Sequence, residues 1–213
     1  MIQPKQIRYL VSIIGIDGSG KTTVSTKLRE RFSRIGVTYN YLHPTFGSIV
    51  NISRIATRRP HNDSEQVTKT ALFSSNTSIM ITLAYTLIML ADSLVNYILF
   101  FRPLLKMGIL VSDRYFYHYV LMHIDNHPTI VRCFANIIPK PSIIFLLDVS
   151  PKIAKFRNEE YTLDEYRAQV VRYEEFLRIT GLDKRAIRIN SERSAESVSE
   201  EIYNHMIKFF NIK

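Results

Sequence analysis

Apolar runs of strand length alternate along this chain with longer stretches of helical period. Ile7–Ile14, Val37–Leu42, Gly108–Ser112, Ser142–Asp148 and Ala186–Asn190 read as five strands. Gly20–Arg34 places Val24, Leu28 and Phe32 four residues apart on one helical face, and Gly36 follows as a C-terminal stop. A long helical region ends near Lys106, with Pro103 restarting its last turn. Further helices are expected at Pro151–Arg157, Leu163–Ile179 and Ala195–Asn211. Strands separated by helices predict an α/β fold of three layers, a five-stranded parallel sheet flanked by helices on both faces. Ligands in such sheets sit at the carboxyl ends of the strands, so the chemistry is expected just after each strand.

Two segments pass briefly for something else. Lys5 and Arg8 before an apolar run resemble a signal peptide, but Asp17 breaks the run and no small-residue cleavage site precedes it. A buried strand explains the run, and a cytoplasmic protein is expected. Between Lys69 and Arg102 the only charge is Asp92. Ile79–Ala91 falls short of a membrane span, and Asp92, Ser93 and Asn96 then interrupt it. The segment 79–101 is expected to be a helix buried in a core or a subunit interface, with no membrane involved.

Composition narrows the picture modestly. The 213 residues suit one domain, 1–213. The single Cys133 excludes an intramolecular disulfide and a cysteine-built metal site. The net charge of +9 is lopsided: residues 1–106 carry 13 basic and 5 acidic side chains, against 15 and 14 in the remainder. A basic half implies an anionic partner. The basic residues are scattered without interleaved aromatics, which argues against nucleic acid. Arg54, Arg58 and Arg59 form the nearest thing to a cluster and have no assigned role.

The chemistry is announced after the first strand. Gly15-Ile16-Asp17-Gly18-Ser19-Gly20-Lys21-Thr22 fits the phosphate-loop pattern in full, between a strand and a helix. Gly15, Gly18 and Gly20 let backbone N–H groups turn around phosphate oxygens, with Ser19 and Thr23 in the same cradle. The helix N-terminus adds its partial positive charge. Lys21 is expected at the β- and γ-phosphates of ATP, and the Thr22 hydroxyl on Mg²⁺. Asp17 is unusual inside an anion-binding loop. It either bonds a substrate hydroxyl or faces a surface cation.

The third strand ends in Ser112-Asp113-Arg114-Tyr115. By position, Asp113 can hold a water on Mg²⁺ and Arg114 can grip a phosphate bidentately. With these motifs, the Ala91-Asp92 helix leading to Gly108, and Leu147-Asp148-Val149-Ser150-Pro151 with Ala154 and Arg157, the chain resembles the thymidylate kinase family of P-loop nucleoside monophosphate kinases. The resemblance implies phosphorylation of dTMP to dTDP by ATP, with Mg²⁺, usually by a homodimer. It implies that Asp17 bonds the sugar 3′-hydroxyl and that Arg114 and Tyr115 belong to the acceptor site. It implies a lid near 151–167.

Several positions depart from the family pattern. Leu42-His43-Pro44-Thr45-Phe46 stands where an Arg-Glu-Pro type segment is common, and His118 where a serine is common. The base-reading arginine falls at Ser93 and the base-stacking aromatic near Met89. A phosphate loop without arginine implies lid arginines, yet 158–165 contains none; Arg157 and Arg167 flank it, and Arg157 is the catalytic candidate. No Asp or Glu lies between Glu30 and Asp63, where a nucleoside kinase would place its base, which favours a monophosphate acceptor. A kinase of another small phosphate acceptor or of a nucleoside, and a non-catalytic ATP-binding protein, are the alternatives. The apolar helix 79–101 is the expected dimer contact.

Overall fold

The computed structural model describes residues 8–42, 79–117, 121 and 127–212. The segment after the second strand, Arg54, Arg58, Arg59 and His118 lie outside the described residues. In chain order the elements are β1 (Tyr9–Ile14), α1 (Lys21–Arg34), β2 (Tyr39–Leu42), α2 (Ile79–Asn96), a π-helical turn (Tyr97–Phe101), α3 (Arg102–Met107), β3 (Ile109–Asp113) and a 3₁₀ turn (Tyr115–Tyr117). There follow α4 (Pro128–Ile137), β4 (Ile143–Asp148), α5 (Pro151–Arg157), α6 (Leu163–Thr180), a second 3₁₀ turn (Asp183–Arg185), β5 (Ala186–Asn190) and α7 (Ala195–Phe210).

The five strands form one sheet in the order β2-β3-β1-β4-β5, all parallel. The chain runs from β1 out to the edge strand β2, returns to β3 beside β1, and then crosses to β4 and β5, so register partners such as Ile13↔Asp113 are neighbours although 100 positions apart in sequence. The two loops that follow β1 and β3 therefore open side by side. Side chains alternate across the pleat and divide the core in two. Leu10, Ile14, Leu110, Ile144 and Leu146 face one layer with residues of α4 and α6. Val11, Ile13, Val111, Phe145 and Leu147 face the other, with α1 and α7.

Helix α1 shows how the pattern becomes packing. Val24, Leu28 and Phe32 are buried against the second face, as their spacing predicts. Truncating Phe32 would cost roughly 3–5 kcal/mol at such a site. Helix α6 starts on a capping box: Thr162 accepts from the Glu165 N–H at 3.3 Å, while Glu165 accepts from the Thr162 N–H at 2.7 Å. Helix α2 continues through one wide turn, where the Arg102 N–H reaches the Tyr97 carbonyl, into α3 with Pro103 in its first turn.

Helix α4 is an element the strand–helix reading of the sequence did not include. Its signals are Pro128 at the start and Val131, Phe134 and Ala135 at helical spacing, all buried. The apolar segment from 79 is only partly covered: Leu87 is 64% and Ile98 54% exposed, although Met89, Leu90 and Tyr97 pack on the core.

Candidate active site

The loop from Gly15 to Gly20 joins β1 to α1 and is built by close backbone contacts. A side chain at Gly15 would meet the Leu147 carbonyl and the Ser19 hydroxyl at 2.8 Å each. One at Gly18, whose φ is +75°, would strike the backbone of Ala154, so α5 lies directly on the loop. Gly20 takes the N-cap position of α1 in the left-handed region, with no side-chain cap and no acid in the first turn. The leading N–H groups of α1 thus keep their polarity for an anion. Ser19 is 1% exposed, and its hydroxyl has no hydrogen-bond partner among the described residues. Thr23 is exposed on the same first turn.

Lys21 folds back over this loop. Its ammonium donates to the carbonyls of Gly15 at 3.0 Å and Ile16 at 2.9 Å. Two of its three N–H bonds are so used. Burial pushes its pKa down from the ordinary value, opposed by the charge of Asp113. A buried cation with such modest compensation suits a site that receives anionic phosphates.

The end of β3 meets the loop from the adjacent strand. The Arg114 N–H donates to the Ile13 carbonyl at 2.9 Å. Arg114 and Tyr115 have φ of +60° and +50°, an uncommon conformation for non-glycine residues and a recurrent one at functional sites. The turn aims the Arg114 guanidinium at Asp17, with which it forms an ion pair. The Asp17 N–H in turn donates to Gln169 Oε1 on α6 at 3.3 Å. Asp17 therefore faces a cation, and that cation is itself the phosphate-gripping candidate.

Two tyrosines take parts that the sequence did not assign to them. Tyr115 was expected at the acceptor. Its ring is instead fully buried against Phe101, Phe116 and Tyr117, and its hydroxyl donates to the Pro139 carbonyl at 2.5 Å. It anchors the turn that presents Arg114. Tyr41, not expected in the site at all, donates to Asp113 Oδ2 at 3.0 Å. Burial, then the charge of Asp113, pushes its phenol pKa well up. A polar aromatic residue at the end of an edge strand was the only signal available.

The remaining expectations fare differently. Arg157 donates to the carbonyls of Ser191 at 2.9 Å and Glu192 at 3.2 Å, in the loop after β5. The end of α5 thus lies beside the loop after β5, and Arg157 ties the two together. Arg167 pairs with Asp164 at 2.8 Å on the exposed side of α6. Ser93 is 1% exposed, with its hydroxyl on the Met89 carbonyl at 2.6 Å, so this side chain is turned into the protein. Met89 is half-buried against the core.

The family model for thymidylate kinase matches residues 13–202. The chain belongs to the thymidylate kinase family. Its activity is the family's: ATP-dependent phosphorylation of dTMP, the work of a transferase on small nucleotide substrates. It is similar to a probable thymidylate kinase of Methanosphaera stadtmanae, 25% identical over 217 residues that cover 96% of this chain and 100% of the relative. It is also similar to a probable thymidylate kinase of Sulfolobus acidocaldarius, 26% identical over 212 residues, covering 95% and 98%. The match to the family model takes in the phosphate loop, Asp113-Arg114 and α5 together, so the altered positions in α2 do not remove the chain from the thymidylate kinases.

Proposed function

We propose that the loop from Gly15 to Thr23 binds the phosphates of ATP, and that Asp17 and Arg114 bind dTMP. The observation that supports this best is the meeting of the phosphate loop with Arg114 through the adjacent carboxyl ends of β1 and β3. Donor and acceptor phosphates are thereby held together at the carboxyl end of the sheet. Arg114 takes the acceptor phosphate as a bidentate partner, and Asp17, released from it, accepts the sugar 3′-hydroxyl. Lys21 moves from its two carbonyls to the transferring phosphate and neutralises charge there.

The donor set suits Mg²⁺. It offers the Thr22 hydroxyl and the Asp113 carboxylate, both hard oxygens, the second held by the Tyr41 hydroxyl. Thr22 would hold the ion directly and Asp113 through water. When bound, Mg²⁺ would supply neutralisation of phosphate charge. The acceptor phosphate is already ionised at neutral pH, so no general base is required. Consistently, β2 carries no carboxylate.

Segment 151–167 is read as the lid, with α5 resting on Gly18 and Tyr166 donating to the Asn158 carbonyl at 2.5 Å. The exposed stripe Met80, Leu83, Leu87, Val95 and Ile98 is read as a homodimer contact. By length and composition Thr86–Met107 could cross a membrane. The packing of Met89, Leu90 and Tyr97 on the sheet core favours a helix lying on its own domain.

A coupled assay of ADP release over the common nucleoside monophosphates, with and without Mg²⁺, tests the reading. Mg²⁺-dependent turnover highest with dTMP is expected. ADP release that is indifferent to dTMP would overturn it.

A further inference from the structure

Tyr39 and Tyr41 are two apart on strand β2 and project to the same side. The Tyr39 and Ser25 hydroxyls meet at 2.7 Å and tie the strand to helix α1. Tyr41, one pleat nearer the site, donates to Asp113 Oδ2 at 3.0 Å.

The phenol proton goes to Asp113 Oδ2, and this bond holds the carboxylate in one orientation at the end of β3.

We propose that Tyr41 is a positioning residue for the divalent-cation site of this kinase, orienting Asp113 through its hydroxyl. The inference rests on the reading of Thr22 and Asp113 as the Mg²⁺ site. Groups that orient metal ligands from behind typically change metal affinity by about 10–100-fold when removed.

The test measures binding, not turnover. ATP affinity is determined calorimetrically, without acceptor, in excess Mg²⁺ and in EDTA. Wild type is expected to bind more tightly with Mg²⁺. Tyr41→Phe is expected to lose about tenfold or more of that enhancement while its affinity in EDTA is unchanged. Tyr39→Phe removes a hydroxyl from the same strand and is expected to lower the melting temperature with the enhancement intact. If Tyr41→Phe fails to fold, Tyr41→Met carries the same expectation. Full enhancement in the Tyr41 variants would overturn the inference and leave the Thr22–Asp113 assignment standing. An equal loss in Tyr39→Phe would overturn it too, as an effect of the strand. No enhancement in wild type would overturn both readings.

Discussion

Arg114 is ion-paired with Asp17 across the gap between the loops that follow β3 and β1. Each is the partner of the other only while the acceptor is absent, since both are proposed to bind it. On that proposal, binding dTMP would exchange one anion for another at Arg114 and turn Asp17 toward the sugar, which would account for an acidic residue inside an anion-binding loop.

Replacing Asp17 with Asn should leave Arg114 free for phosphate but weaken the sugar contact. The preference for dTMP over its 3′-deoxy analogue, measured as the ratio of kcat/KM values, should fall about tenfold, the value of one charge-assisted hydrogen bond. An unchanged ratio would show that Asp17 does not read the sugar.

Lys21→Met should lower kcat by about 10²–10³-fold or more, as expected for removal of a group that stabilises transferring charge. Stability should respond differently. Burial disfavours the charged amine in the folded protein, so the nucleotide-free variant should melt at the same temperature as wild type or higher. A large drop in melting temperature would assign Lys21 a structural role.

Arg157→Ala should loosen the loop after β5, whose Ser191 and Glu192 carbonyls it holds. The KM for ATP should rise roughly tenfold and that for dTMP should not move. A fall in kcat with both KM values unchanged would instead put Arg157 at the phosphates.

Acid should destabilise the protein through a defined set of carboxylates. Thr162 holds Glu165, Arg188 holds Glu174, and Lys27 with Arg31 holds Glu196, all below the ordinary 4.5. A carboxylate with a depressed folded pKa contributes stability that is complete above 4.5 and is lost as pH falls through the lowered value. Melting temperature followed from about pH 6 to about pH 3 should therefore decline below 4.5, and less steeply in Glu165→Gln. A slope unaffected by that substitution would remove the capping box from the account.

The exposed stripe on α2 should be sensitive to charge. Leu87→Asp with Ile98→Asp should convert a dimer to a monomer in light scattering. A monomeric wild type would refute the proposed contact.

The sequence by itself determined the strands, most of the helices and the phosphate loop. These rest on local causes: apolar periodicity, glycines at positive φ, and a motif whose spacing follows from cradling phosphate. Arg114 was legible for the same reason, as a cation at the end of a strand. The structure decided what depends on which loops become neighbours. The strand order put β3 beside β1 and so joined Arg114 to Asp17, a pairing no spacing reveals. Burial turned Tyr115 and Ser93 inward, onto the Pro139 and Met89 carbonyls. Arg157 went to the loop after β5 because α5 ends there, and Tyr41 reached Asp113 because β2 pairs with β3. A periodic pattern records which face of an element is apolar. Which side chains converge across elements is fixed by packing, and packing is a property of the whole chain.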